Sequence, residues 1–230
     1  VDRPGYGHST FQKRRQLLDW PNDVEALADH LGVEQFAVFG VSGGGPHSLV
    51  CAALLPDRVT RAGVVSGVGP LERPEELATM TKYYQLMAKL AKRSEVGALP
   101  FTSSMAQLSR RRPEQAMKAM LKQLPPADVA LLQRPELKKL IIADAARASA
   151  TSARAAAQDV AIFVRPWGFN LAQIAMPVDF WQGDADLTVP SSHAQLQASQ
   201  IRGAELHEFA GEGHFMFVDH IEEILKTVSS

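Results

Sequence analysis

Residues Phe36–Val41 form an apolar run too short for a helix. The chain leaves them through Gly40-Val41-Ser42-Gly43-Gly44 and enters a stretch of helical character over residues 44–55. A strand that passes through a glycine-rich turn straight into a helix needs covering on both faces, as parallel sheets are covered. Residues 61–66, 178–181 and 206–209 are further runs of the same kind. Helical patterns lie before and after the first run. Residues 17–31 place apolar side chains close to a 3.6 period, and Gly32 follows as a stop. Strands alternating with helices predict an α/β fold, a mostly parallel sheet with flanking helices. Residues 1–9 read as the end of a strand entering a Gly/Pro turn.

The pattern changes between residues 71 and 170, where Ala, Leu, Met, Lys and Arg dominate and prolines at 74, 113, 125, 126, 135 and 166 divide the stretch. An ordinary connection runs to about 4–6 residues, so this is expected to be an inserted set of helices, a cap. The division is then 1–70 for the first part of the core, 71–170 for the cap and 171–230 for the rest of the core. The Ala-rich residues 143–157 are expected to be helical. Five of the seven methionines, Met80, Met87, Met105, Met117 and Met120, fall in the cap. They either pack its interior or line an adaptable apolar pocket.

Composition excludes several classes. At 230 residues and 46% hydrophobic, the chain can bury one substantial core. A net charge of -1 gives no basic footprint for nucleic acid or an anionic membrane surface, and neither partner is expected. The single cysteine, Cys51, has no disulfide partner and is expected to be a buried helix residue. No span-length apolar stretch or signal-peptide pattern is present, so the expectation is a soluble, cytoplasmic protein. No paired Cys/His spacing suggests a metal and no phosphate-cradling glycine pattern suggests a nucleotide, so neither metal nor cofactor is expected.

The pentapeptide G-x-S-x-G arises by chance in roughly one chain of this length in thirteen. Its place between strand and helix is what gives it meaning, because there the Ser42 hydroxyl is held exposed at the turn. A serine hydroxyl needs a base to take its proton and an acid to orient that base. Two later segments supply candidates, each just past a strand: Gly183-Asp184-Ala185-Asp186-Leu187-Thr188-Val189-Pro190, and Gly211-Glu212-Gly213-His214.

These segments, with the D-x-P-G-x-G-x-S turn from Asp2 to Ser9, resemble the α/β-hydrolase superfamily across essentially the whole chain, more loosely in the cap. The resemblance implies a Ser42/Asp186/His214 triad: Asp186 precedes the x-x-V-P tail and His214 follows the glycine-flanked run. It also makes Trp167-Gly168-Phe169 the return from cap to core, and Ser42 at the elbow argues against dehalogenase or epoxide hydrolase chemistry. The implied activity is that of a serine hydrolase on a small-molecule carbonyl substrate, an apolar acyl ester first, with amide or lactone as variants. The Gly43 N–H would hold the oxyanion. A non-catalytic small-molecule binding protein and an acyltransferase using the same residues are the alternatives. The resemblance further implies that strands preceding residue 1, with the second oxyanion donor, are missing from this chain, leaving a gap in the sheet. Asp184 is expected to be a turn residue and His47 structural. His193 and His220 are expected at the surface, and Arg110-Arg111-Arg112 in a solvated turn.

Overall fold

Four strands, β1 (Phe36–Val41), β2 (Val59–Val65), β3 (Val178–Gly183) and β4 (Glu205–Phe209), pair in parallel in chain order. This is seen in a computed structural model that describes residues 1–148 and 153–230. All four runs expected to be strands are strands. Neighbouring residues separate the two faces with the period of two that a strand imposes. Val64 and Phe180 enter the larger core cluster, whereas Val65 and Trp181 enter a smaller one with Met216, Ile224 and Val228.

The expected helix over residues 17–31 is a short 3₁₀ turn leading into α1 (Trp20–Leu31), ended by Gly32, and the second is α2 (Gly45–Leu54). Cys51 is buried in α2, where desolvation pushes its thiol up to about 12. Between β2 and β3 come α3 (Pro74–Thr79), α4 (Lys82–Arg93), α5 (Leu99–Arg111), α6 (Pro113–Leu121), α7 (Pro126–Leu132), α8 (Pro135–Ala148) and α9 (Arg154–Phe163). Prolines open α3, α6, α7 and α8, a position where the missing N–H costs nothing because it has no helical acceptor. Of the Ala-rich stretch 143–157, residues 143–148 and 154–157 are helical, and 149–152 lie outside the described residues. Last come α10 (Ser192–Gln200) and α11 (Phe217–Val228). Helices α1, α2 and α10 contribute to the larger cluster and α11 to the smaller, so both sheet faces are covered.

Two expectations need correction. Residues 1–9 contain no strand: their backbone closes on itself, with Tyr6 N–H on Arg3 O (3.0 Å) and Ser9 N–H on Tyr6 O (2.8 Å). Only the turn part of that reading holds. Strand β1 is not buried on both faces either. Among the described residues β2 is its one neighbour in the sheet, and Phe39 is 39% exposed, whereas all of β3 is buried.

Candidate functional site

Each strand ends in one residue of the site: Ser42 after β1, Ser66 after β2, Asp186 beyond β3 and His214 beyond β4. The carboxyl ends of parallel strands share one edge of the sheet, so residues 172 positions apart in the chain, Ser42 to His214, share one end of the fold.

The serine turn is built locally. Ser42 has φ +55°, a left-handed conformation that is uncommon for a side chain larger than glycine's. The turn is tight enough that a Cβ on Gly40 would lie 2.2 Å from the Gly44 carbonyl oxygen, which accounts for the first glycine of the pentapeptide. Two further bonds fix the turn: Val68 N–H donates to Ser42 O (3.1 Å), and His47 Nδ1 donates to Gly43 O (2.9 Å). His47 is therefore structural, as expected. Burial, with Arg3 nearby, lowers its pKa to about 3 and keeps the ring neutral.

The acid and histidine are built by long-range contacts. Asp186 is buried and accepts from Thr188 N–H (2.7 Å), Val189 N–H (2.9 Å), Gln182 Nε2 (3.2 Å) and His214 Nδ1 (2.7 Å). Because a carboxylate can only accept, Nδ1 carries the proton and Nε2 of the neutral ring is left free to act as a base. Asp184 instead accepts from Gly211 N–H (2.6 Å), tying the β3 loop to the β4 loop in the turn role expected of it. Among the described residues no hydrogen bond joins Ser42 Oγ to His214. Such contacts are often long before substrate binds.

Two residues that hold the histidine loop were not legible in the sequence. Ser66 Oγ donates to His214 O (3.2 Å), from a backbone also at positive φ (+47°). Asp128, at 0% exposure on α7, accepts from His214 N–H (2.8 Å) and Phe215 N–H (2.9 Å). A Cβ on Gly213 would lie 2.3 Å from Asp128 Oδ2, so that glycine is what lets the carboxylate reach the loop. Burial pushes the Asp128 carboxyl up, against the two N–H bonds that favour its charged form. Arg134 pairs with Asp219 just beyond, a second tie between this helical region and the start of α11. Nothing around Asp128 in the chain marks it apart from other helix-start carboxylates.

A cavity of about 350 Å³ opens at Ser42, lined also by Gly43, Leu187, Thr188, Arg3 and Tyr6. Arg3, Tyr6 and Arg15 converge on Asp159 of α9, with Arg3 at 2.7 Å and the Tyr6 hydroxyl at 2.9 Å, which docks the opening turn beside the serine. Burial alone would raise the Asp159 carboxyl, but Arg3 and Arg15 outweigh it and hold it below the usual range.

The other histidines differ from expectation in one case. His193 is completely buried, not at the surface: its Nδ1 accepts from Gly69 N–H (2.9 Å) and its Nε2 lies 2.8 Å from Thr79 Oγ1. An imidazole can be buried in this way when both nitrogens are bonded, and burial lowers its pKa to about 4. His220 is part-buried against Glu212. Arg110, Arg111 and Arg112 are exposed, as expected, but Arg110 and Arg111 end helix α5 and do not form a turn. Among the described residues the group suited to a metal ion is Asp179, Glu205 and His207, at the opposite end of the strands from Ser42. There Asp179 already pairs with Arg61 (2.8 Å).

A parallel sheet with Ser beyond β1, Asp beyond β3 and His beyond β4 has the chain order of the hydrolase class of α/β protein. The chain belongs to the alpha/beta hydrolase fold family, whose profile matches residues 1–221. Among solved structures it is similar to a hydrolase from Pseudomonas aeruginosa PA01 (TM-score 0.70, 19% identity, covering 100% of this chain and 78% of that one). It is similar also to an esterase from Exiguobacterium antarcticum (0.68, 16%, 100% and 80%). A third is an enol-lactonase from Burkholderia xenovorans LB400 (0.66, 20%, 99% and 77%). At these identities the likeness is one of fold. No curated protein matches the chain. Among the described residues no helix is long and apolar enough to cross a membrane.

Proposed function

We propose that the protein is a serine hydrolase that cleaves a small-molecule ester or lactone through an acyl-enzyme, beneath a cap formed by residues 71–170. The observation that carries this reading is the buried His214–Asp186 pair at 2.7 Å, which leaves Nε2 as the base at the sheet edge where Ser42 stands. Ser42 Oγ attacks the carbonyl carbon while its proton passes to His214 Nε2. The carbonyl oxygen becomes an oxyanion facing the Gly43 N–H, and collapse expels the alcohol, which takes the proton from His214. Water, deprotonated by the same nitrogen, then attacks the acyl-enzyme and releases the acid. Asp186 stays ionised and holds the imidazolium. That two of the similar structures are an esterase and an enol-lactonase fits a carbonyl substrate of this class.

The test is covalent labelling. A fluorophosphonate is expected to add once per chain, on Ser42, by intact mass and peptide mapping, and Ser42→Ala is expected to lose both the adduct and ester turnover. An unlabelled, folded protein would overturn the reading in favour of a binding role.

A further inference from the structure

All five methionines of residues 71–170 line one or more of three cavities that share lining residues, and one of the three lies at Ser42. Met80 lines the cavity at the serine. Met87 and Met105 line a second, of about 300 Å³, which shares Tyr6 and Ala156 with the first. Met105, Met117 and Met120 line a third, of about 410 Å³, with Ile141 and Ile142, and it shares Gln123 and Thr188 with the serine's cavity. This third chamber is within the ~300–1,000 Å³ range of small-molecule sites. None of the described residues lining it is charged. Met105, on the wall of two cavities, is 46% exposed, and Thr188, on the wall shared with the serine's cavity, donates its N–H to Asp186. Methionine is flexible and polarizable, and it shapes itself to an apolar guest.

We propose that the chamber walled by Met105, Met117 and Met120 is a substrate subsite that takes the aliphatic chain of the ester cleaved at Ser42. The absence of lining charge selects an uncharged hydrocarbon tail over a charged one, and the walls shared with the serine's cavity make the occupant part of the substrate, not a separate effector. The proposal rests on the hydrolase reading, and its test separates the two.

Two ester series serve as probes: p-nitrophenyl acetate, butyrate, octanoate and decanoate vary the acyl side, and ethyl, butyl and octyl acetate vary the alcohol. Each methylene buried should raise kcat/KM about fourfold. The expected result is a rise of at least about a hundredfold along one series, which also identifies the half of the ester that enters the chamber. Ala119→Phe, at an exposed lining position, is expected to cut the ratio of long-chain to short-chain turnover at least tenfold. If that variant is unfolded by circular dichroism, Ala145→Phe replaces it. Flat profiles in both series on a protein whose Ser42 is still labelled would overturn the chamber and leave the hydrolase standing. Calorimetry on Ser42→Ala reads the chamber without turnover: methyl decanoate should bind at least a hundredfold more tightly than methyl acetate, and equal affinities would overturn the proposal even if no ester is turned over.

Discussion

The serine turn and the histidine loop meet at one end of the sheet but are held by different means. Around Ser42 the geometry comes from neighbours in the chain: Gly40 against Gly44, and His47 on Gly43, with one outside bond from Val68. Around His214 almost everything comes from afar. Asp186 takes its ring, Ser66 its carbonyl and Asp128 its N–H, across 28, 148 and 86 residues. A nucleophile needs a sharp exposed turn, which a few consecutive residues can make. A base needs a fixed tautomer and direction, and those require partners from other elements. Damage to the turn should therefore act on one residue, whereas the histidine loop can be loosened from several distant places.

The contrast is broken most severely at Asp186. Asp186→Asn should leave the fold intact and lower kcat on the order of 10⁴-fold, because the asparagine favours the wrong imidazole tautomer. Steady-state kinetics on the purified variant would read this.

Asp128→Ala reaches the same histidine from α7. It strands two buried N–H groups at roughly 1–3 kcal/mol each, and the misplaced ring should lower kcat roughly tenfold to a hundredfold with KM little changed. Thermal melts and kinetics together separate the two effects, and an unchanged kcat would mean that the loop needs no support from this helix.

Next in size is a pH effect on stability away from the loop. His47 and His193 are held neutral, with pKa values lowered by burial to about 3 and about 4. Below the unfolded value near 6.5 the unfolded chain binds protons that the folded chain refuses, so stability falls as pH falls from there toward the folded values. At about pH 5 His193 alone should cost roughly 2 kcal/mol relative to neutral pH. Denaturant melts across this window should show the loss, and His193→Gln should roughly halve it, His47 supplying the rest.

The smallest effect sharpens the choice of acid. Asp184→Ala removes a bond to Gly211 in an exposed turn and should change turnover by no more than about threefold. A loss comparable to that of Asp186→Asn would move the acid to Asp184.

The four strands, the first two helices and the serine turn were legible in the sequence because each rests on short-range pattern: apolar runs, a 3.6 period, glycines at a tight approach. His193 was misplaced because pattern says nothing of whether a polar ring finds two partners inside. In residues 1–9 the turn chemistry is visible in the sequence, whereas the backbone's partners, which exclude a strand there, are not.

By itself, then, the chain's order of residues determined the α/β alternation and the local conformation that exposes Ser42, since consecutive residues supply the interactions that decide those. Only the tertiary structure decided that Ser66 and Asp128 hold the histidine loop, that Asp159 gathers Arg3, Tyr6 and Arg15, and that Met80, Met87 and Met117 are buried in the core while also bordering cavities. Those outcomes depend on which distant side chains lose water together, and the packing of one element against another sets that.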